Sequence, residues 1–144
     1  MRASGSVYLD ASVLVALFTN DPFTGQADDF LRRERPALTV SDFAKAEFAS
    51  AIARRVRTNE LAAEDARTAF SAIDVWSARA ARSMTISPAD IAAASAFLRR
   101  LDLPLRTPDA INIAIAERAG CTLFTFDRKM AEAAAAIGIS VAPG

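Results

Sequence analysis

The chain has 144 residues with 17 basic and 17 acidic side chains, so its net charge of zero indicates no strongly acidic or basic partner. The length suits a single domain with a buried core, over residues 1–144. The absence of histidine excludes histidine-ligated zinc and a histidine general base. The single cysteine excludes an internal disulfide and fits a reducing cytoplasm, and no apolar run is long enough to span a bilayer.

The predicted elements alternate between short strands and helices. Short runs of β-type residues bounded by turn residues predict the strands. These runs are 7–9, 37–40 and 122–126, with 84–86 as a short strand or an extended connector and 139–141 as a last short strand. Strands that alternate with helices predict a parallel sheet covered by helices on both faces, which is a three-layer α/β/α fold.

Apolar residues at three- and four-residue spacing predict the helices, and capping residues mark where they begin. The predicted starts are Asp21 with Pro22, Ser41, Ser87 with Pro88, and Thr107 with Pro108. The first predicted helix follows residue 10, and the next two run from about 23 to 33 and from 42 to about 57. Residues 61–82 are predicted to form one or two helices. Two more helices begin at 88 and at 108, and the last runs from 128 to about 137.

Asp10 ends the first strand and precedes a helix. The carboxyl ends of parallel strands open onto a crevice where sites form, so Asp10 is a candidate site residue. Aspartate and serine also cap helices by accepting hydrogen bonds from free N–H groups, and Asp10 and Ser12 both suit that role. Taken alone, this stretch leaves a helix cap and a catalytic acid as equal alternatives for Asp10.

Three further carboxylates fall near the same edge. Asp127 directly follows the clearest strand, so it emerges on the same side of the sheet as Asp10. Glu47 lies about two turns into the helix after the second strand, beside an apolar stripe, with a solvated position at the rim as the alternative. Asp109 begins a helix, where an acid also complements the helix dipole, and Asn112 shares its face. Gathered carboxylates repel one another, and a divalent cation with oxygen ligands, such as Mg²⁺ or Mn²⁺, relieves that repulsion.

These acids stand in segments that resemble the PIN domain family, and within it the VapC-type toxins of prokaryotic toxin–antitoxin pairs. The resemblance covers essentially the whole chain, and its four segments occur in the family's order. They are Tyr8-Leu9-Asp10-Ala11-Ser12, Ala46-Glu47-Phe48, Arg106-Thr107-Pro108-Asp109-Ala110 and Phe124-Thr125-Phe126-Asp127. The helix that continues the third segment carries Ile111, Ile113 and Ile115 where the family favours leucine, a difference that leaves the chemistry intact.

The resemblance implies a Mg²⁺- or Mn²⁺-dependent endoribonuclease that hydrolyses RNA phosphodiester bonds. It also implies a VapB-type antitoxin that blocks the site, and a homodimer. By the same resemblance, the family's acidic quartet of catalytic residues and metal ligands corresponds to Asp10, Glu47, Asp109 and Asp127. Asp10 and Asp109 would be the principal ligands, with Asp127 a direct or water-mediated ligand and Glu47 a ligand or water-positioning group.

The neighbouring polar residues receive supporting roles. Ser12 and Thr125 match the family's small hydroxyl positions, and Asn112 falls where many relatives carry histidine or another polar residue. All three would hydrogen-bond to the ligands. With Asp10 assigned to metal, we expect Ser12 to cap the first helix. Clustered arginines would bind the backbone of single-stranded or looped RNA.

Four alternatives remain open from the sequence. A dehalogenase-type phosphatase normally carries a second aspartate where this chain has Ser12. A receiver-type signalling domain needs an acidic pair upstream and a lysine after a later strand, and neither is evident. The other two are a PIN-fold binding or RNA-processing module that is not a toxin, and a nuclease that acts on DNA.

Overall fold

The computed structural model of the chain describes residues 5–143. Its four strands form one parallel sheet in the order β3-β2-β1-β4, which confirms the predicted α/β fold. The elements in chain order are β1 (Ser6–Leu9), α1 (Ala11–Phe18), α2 (Thr24–Glu34), β2 (Ala37–Ser41), α3 (Asp42–Arg57), α4 (Ala63–Ala80), β3 (Ala81–Met84), α5 (Pro88–Arg99), α6 (Thr107–Ala119), β4 (Thr122–Phe124) and α7 (Arg128–Ile137).

Two apolar clusters fill the two faces of the sheet. Successive side chains of a strand point to opposite faces, so Val7 and Leu9 pack into one cluster and Tyr8 into the other. Helices α1 to α4 cover the first face, and α5 to α7 cover the second. No helix within the described residues combines the length and the apolar character needed to cross a membrane.

The strand order reverses next to β1. The chain passes from β1 outward to β2 and β3, and then α5 and α6 carry it back to β4 on the other side of β1. In open α/β sheets, ligands bind in the crevice outside the carboxyl ends of the strands at such a reversal point. Asp10 follows β1 and Asp127 lies three residues after β4, so both acids flank the reversal.

Three predicted strands differ from the observed ones, and at residues 85–86 the alternative of an extended connector is the one that fits. Residues 81–84, rather than 84–86, form β3, and the helix before them ends at Ala80. The segment Ala-Arg-Ser-Met has little intrinsic strand preference, and its pairing with β2 overrides that preference. The predicted strand at 122–126 stops at Phe124, and 139–141 contributes a single bridge from Val141 to Leu123.

Two of the four predicted helix starts were confirmed. Ser41 caps α3 by accepting a hydrogen bond from the Ala44 N–H at 2.9 Å, and α5 begins at Pro88. The other two were wrong: α2 begins at Thr24 rather than after Asp21, and α6 begins at Thr107 itself. The carboxylate of Asp21 instead accepts from the backbone N–H of Phe23, which makes a turn before the helix.

Candidate active site

Asp10 lies between β1 and α1 and is only 3 % exposed. Its Oδ1 atom accepts hydrogen bonds from the Ser12 hydroxyl at 2.6 Å and from the Val13 backbone N–H at 3.2 Å. Its Oδ2 atom accepts from the Thr125 hydroxyl at 2.6 Å. The hydrogen bonds that hold this buried carboxylate therefore come from uncharged donors.

The helix cap at α1 is Asp10, so the prediction that Ser12 caps this helix was wrong. The reason is local: α1 begins at Ala11, and the extended backbone of Asp10 puts its own carboxylate against the N–H of Val13. Burial raises the pKa of Asp10, the hydrogen bonds from Ser12 and Thr125 oppose that rise, and the charge of Asp127 adds to it. Asp10 is thus both a cap and a carboxylate that is costly to keep ionised.

Ser12 and Thr125 join the ends of β1 and β4. The Ser12 oxygen accepts from the backbone N–H of Phe126 at 3.0 Å while its hydroxyl donates to Asp10. The Thr125 oxygen accepts from the N–H of Asp127 at 3.0 Å while its hydroxyl also donates to Asp10. These side chains take the N–H groups that would otherwise continue the strand, which explains why β4 ends at Phe124.

Glu47 is held by a chain of hydrogen bonds that are buried at Tyr8 and partly buried at Glu47 itself. The Asn112 amide donates to Glu47 Oε1 at 2.6 Å and to the Pro108 carbonyl at 3.1 Å. The Asn112 Oδ1 atom accepts from the Tyr8 hydroxyl at 2.6 Å. Tyrosine has one proton to donate, so the Ser41 hydroxyl, 2.7 Å from the Tyr8 oxygen, donates to it. Ser41 therefore donates to Tyr8, Tyr8 to Asn112 and Asn112 to Glu47. Each donor in the chain points toward the Glu47 carboxylate.

Tyr8 was not singled out from the sequence. Burial raises its pKa above the usual range of tyrosine, so the phenol stays protonated and remains a donor. A buried tyrosine usually finds a hydrogen-bond partner, so its place two residues before Asp10 in a buried strand was the available signal. Burial also raises the pKa of Glu47, the hydrogen bond from Asn112 opposes the rise, and the charges of Asp10 and Asp109 add to it.

Asp109 and Asp127 both lie at helix starts. Asp109 Oδ2 accepts from the Arg106 backbone N–H at 3.2 Å, and Asp127 Oδ1 accepts from the Met130 N–H at 3.1 Å as the cap of α7. Burial raises the pKa of Asp109, the hydrogen bond from Arg106 opposes this, and the charge of Asp127 adds to it. Both carboxylates line one cavity of about 480 Å³, so the link before α6 does bring Asp109 to this edge.

Charge repulsion acts between four pairs of these acids. Neighbouring charges act between Asp10 and Asp127, Asp10 and Glu47, Glu47 and Asp109, and Asp109 and Asp127. Even so, within residues 5–143 no group of three or more Asp, Glu, His or Cys side chains is arranged so as to hold a metal ion. Local hydrogen bonds explain this, because each carboxylate is turned toward a nearby donor.

The donor set nevertheless fits a hard divalent cation. Glu47, Asp109 and Asp127 each use one oxygen in a hydrogen bond, and the second oxygen of each receives none from the described residues. The acids supply oxygen ligands only, which suit Mg²⁺ or Mn²⁺. Their mutual repulsion is what such a cation would relieve.

Two cations share the cavity with the acids. Arg106 and Lys129 line the same space of about 480 Å³ as Asp109 and Asp127. Both cationic residues are exposed, and each lies close in sequence to one of the acids. Clustered arginines were the residues expected to bind RNA from the sequence, and this pair was missed because Arg106 is isolated and Lys129 stands in a run of only two basic residues. Their nearness to Asp109 and Asp127 in the sequence was the available signal.

The comparisons with known proteins agree with this fold. A model of the PIN domain matches residues 7–136 of the chain. The chain is similar to the solved structure of Mycobacterium tuberculosis VapC20, a sarcin-ricin loop cleaving toxin, with a TM-score of 0.73, 19 % identity, and coverage of 94 % of this chain and 98 % of that one. It is also similar to FitAcB from Neisseria gonorrhoeae, with a TM-score of 0.69, 15 % identity, and coverage of 95 % and 96 %.

A third similar structure is VapBC2 from Rickettsia felis, bound to a DNA fragment from its promoter. The TM-score is 0.64 at 14 % identity, with coverage of 86 % of this chain and 89 % of that one. No curated protein sequence matches the chain. At these identities the structural likeness concerns the fold, whereas the family match extends over most of the chain and includes all four acids. The chain belongs to the PIN domain family.

Proposed function

We propose that this chain is a divalent-metal-dependent endoribonuclease, a VapC-type toxin that a VapB-type antitoxin inhibits. The observation that carries the proposal is the gathering of four carboxylates near the carboxyl ends of β1 and β4. Asp109 and Asp127 line one cavity, the charge of Asp127 acts on Asp10, and the charges of Asp10 and Asp109 act on Glu47. Three of the four acids keep an oxygen free of hydrogen bonds from the described residues, which supports a role in binding a cation. Membership of the PIN domain family adds independent support for nuclease chemistry.

In this proposal Asp10 and Asp109 are the principal metal ligands. Asp127 is a ligand, direct or through water, and Glu47 is a ligand or orients the attacking water. Mg²⁺ or Mn²⁺, when bound, supplies a water of lowered pKa and stabilises negative charge on the phosphate and the leaving oxygen. A side-chain base is then unnecessary, which suits a chain without histidine.

The polar neighbours orient these acids. Ser12 and Thr125 each donate to a different oxygen of Asp10, so the plane of its carboxylate is fixed. Asn112 donates to one oxygen of Glu47 and leaves the other oxygen available to a cation. Such outer hydrogen bonds typically contribute about 10- to 100-fold to metal affinity or activity, so their loss would be measurable.

An RNA phosphate would meet both charges of the cavity. Arg106 and Lys129 are suited to bind the nonbridging oxygens of the scissile phosphate and of neighbouring phosphates. Guanidinium and ammonium groups donate hydrogen bonds to such oxygens. Asp109 and Asp127 line the same cavity, so a phosphate held by the two cations would lie next to the proposed metal ligands. The presence of cationic side chains beside the acids supports a phosphodiester substrate, rather than a site that only binds a cation.

The toxin role draws on the relatives. VapC20 is described as a toxin that cleaves the sarcin-ricin loop, and FitAcB and VapBC2 are further structures with this fold. We propose that this chain likewise acts on RNA in the cytoplasm, as a homodimer that pairs with an antitoxin. A short upstream reading frame that encodes a DNA-binding protein, and co-purification of its product with this chain, would be the expected findings.

Cleavage of RNA by the purified chain tests the nuclease. We expect cleavage with Mg²⁺ or Mn²⁺, none in EDTA, and none for Asp109→Asn with either metal. Asp65→Asn is the matched control, because Asp65 is an exposed acid in the first turn of α4 and should keep full activity. Cleavage that persists in EDTA, or in Asp109→Asn, would contradict the proposal.

Expression in a bacterial host tests the toxin role separately. Strong expression of the wild-type chain should arrest growth, and Asp109→Asn should relieve the arrest at equal soluble yield. Coexpression of the upstream partner should also restore growth. Normal growth with abundant soluble wild-type chain would count against a toxin, even if the chain cleaves RNA in the test tube.

A further inference from the structure

An exposed aromatic ring lies beside the candidate active site. Phe23 keeps 42 % of its surface exposed, and it is the one aromatic among the large apolar side chains that are exposed within residues 5–143. A cavity of about 280 Å³ is lined by Phe23 and Phe126 together with Ser12 and Asp127 of the site. The ring therefore borders the same crevice as the acids.

The ring of Phe23 has a fixed support. It stacks on the ring of Phe126 with centroids 4.6 Å apart and planes at 12°. Phe126 in turn contacts Phe124 of β4 edge to face, at 5.3 Å. The backbone N–H of Phe126 donates to Ser12, which donates to Asp10. The stacked pair is thus tied to the residue at the centre of the site.

The loop that carries Phe23 is fixed as well. Its backbone N–H donates to Asp21 Oδ2 at 2.9 Å, and Asp21 Oδ1 accepts from Arg55 at 3.1 Å. Thr24, at the start of α2, donates its hydroxyl to the Ala16 carbonyl at 2.6 Å. These bonds join the loop to α1 and α3, so Phe23 is held outward rather than left to collapse onto the apolar core.

Positive charge also lies beside the stacked pair. A second cavity of about 260 Å³ is lined by Phe23, Phe126, Gln26 and Arg128. Arg128 follows Asp127 in sequence and is exposed. An aromatic ring with a neighbouring guanidinium matches the chemistry of a nucleotide, whose base stacks on aromatic faces and whose phosphate binds arginine.

We propose that Phe23 is a stacking platform for an unpaired nucleobase of the RNA substrate. The proposal rests on the proposed function and deepens it, because it assigns to Phe23 the recognition of an unpaired base in single-stranded or looped RNA. Stacking on Phe126 uses one side of the Phe23 ring, and the exposed remainder accepts a base that lies next to the scissile phosphate. The bases of a duplex are already stacked on one another and are not available for this contact.

Tryptophan fluorescence reports the contact directly. The chain has one tryptophan, Trp76, so Phe23→Trp in a Trp76→Phe background gives a single probe at the platform. We expect a short single-stranded RNA to quench this probe in EDTA, and duplex RNA of the same sequence to leave it unquenched. Ile91→Trp in the same background is the control, because Ile91 is exposed to a similar degree but lies on α5.

Binding affinities separate stacking from simple apolar contact. Phe23→Ala and Phe23→Leu should both weaken binding of the single-stranded RNA by about 5- to 100-fold, the range expected when one stacked base is lost, and Phe23→Tyr should bind as the wild type does. Ile91→Ala should change nothing. Unchanged binding in Phe23→Ala, or full binding in Phe23→Leu, would overturn the platform.

The two proposals fail in different ways. Wild-type cleavage of RNA together with unchanged binding in Phe23→Ala overturns the platform and leaves the nuclease standing. Quenching by single-stranded RNA together with no cleavage in any metal keeps the platform and overturns the nuclease. Equal quenching by single-stranded and duplex RNA also overturns the platform, because a stacked base in a duplex does not reach Phe23.

Discussion

Two aspartates are almost fully buried within residues 5–143, and their surroundings differ in kind. Asp90, 1 % exposed, accepts hydrogen bonds from Arg118 Nε and Nη2, both at 2.8 Å, and from the Ser87 N–H at 2.9 Å. Asp10 accepts from two hydroxyls and one backbone N–H. The Arg118 hydrogen bonds hold the pKa of Asp90 below its usual range, whereas burial raises that of Asp10.

The difference separates structure from function. Asp90 lies in the first turn of α5, and its pairing with Arg118, in the last turn of α6, joins these two helices. Arg118 lies nine residues, or about 14 Å of helix, from Asp109, so the Asp90–Arg118 pair lies away from the four acids of the candidate site. Asp10 instead stands among acids that repel it. A buried acid without a cation costs stability, and the proposed binding of a metal at Asp10 would explain why the chain carries such an acid there.

The largest expected effect is on cleavage. Asp10→Asn should lower kcat/KM for RNA by more than about 100-fold, because removal of a direct ligand should exceed the 10- to 100-fold effect of losing an outer hydrogen bond. Asp90→Asn should stay within a few-fold of wild type, roughly, at a temperature where circular dichroism shows both variants folded. Equal losses in the two variants would remove the distinction between the two acids.

The buried hydrogen-bond chain offers the next largest effect. Asn112→Leu removes the donor to Glu47, and we expect Mn²⁺ affinity to fall by about 10- to 100-fold. Tyr8→Phe keeps the shape of the ring and removes the donor to Asn112, so its effect should be smaller and in the same direction. Titration of cleavage rate against Mn²⁺ checks this, with excess Mn²⁺ restoring the rate. A loss that Mn²⁺ does not restore would indicate damage to the core instead.

The free energy of unfolding should fall in Asp90→Asn, and it should stay the same or rise in Asp10→Asn. In EDTA, Asp90→Asn should lose about 1–3 kcal/mol of unfolding free energy, because two charge-assisted hydrogen bonds from Arg118 are weakened. Asp10→Asn should be as stable as wild type or more so, since a neutral amide replaces a carboxylate that burial and Asp127 disfavour. Urea unfolding of both variants measures this, and a marked loss in Asp10→Asn would contradict it.

The smallest expected effect is the pH dependence of those differences. The folded-state pKa of Asp10 is raised above its ordinary value of 3.8, so its destabilising contribution grows as pH rises above that value and declines as pH falls toward it. The folded-state pKa of Asp90 is lowered, so its stabilising contribution is complete above 3.8 and is lost only below it.

Urea unfolding in EDTA at about pH 7 and about pH 5 separates the two cases. The stability difference between wild type and Asp10→Asn should shrink at the lower pH, whereas that between wild type and Asp90→Asn should hold. A constant difference for Asp10→Asn would mean that its carboxylate is as easily ionised when folded as when unfolded.

The positions of Asp10 and Asp127 at the carboxyl ends of β1 and β4 were predictable from the sequence, because one rule places both of them. Asp10 and Asp127 follow strands, and parallel strands end on the same side of a sheet. Short apolar runs and serine caps were enough to find β1, β2, α3 and α5. The PIN fold came from the resemblance of the four acid-bearing segments to that family, and the family match and the parallel sheet confirm it.

Features that depend on tertiary contact were not predictable in the same way. The bond from Tyr8 to Asn112 spans 104 positions in sequence, and that from Asn112 to Glu47 spans 65. No local pattern specifies such pairs. The strand at 81–84 forms because β2 is beside it, and Phe23 is significant because Phe126 lies beneath its ring. The cap at Asp10 was missed because a cap and a buried acid were treated as exclusive roles.

Binding of Mn²⁺, followed by electron paramagnetic resonance in the absence of RNA, tests the central claim most directly. The wild-type chain and Asp90→Asn should remove Mn²⁺ from the free pool with similar affinity, and Asp10→Asn should bind it far more weakly. That result would show that the acid with uncharged partners is kept for a cation and that the acid with an arginine partner is not. Equal Mn²⁺ binding by Asp10→Asn and the wild type would contradict this account.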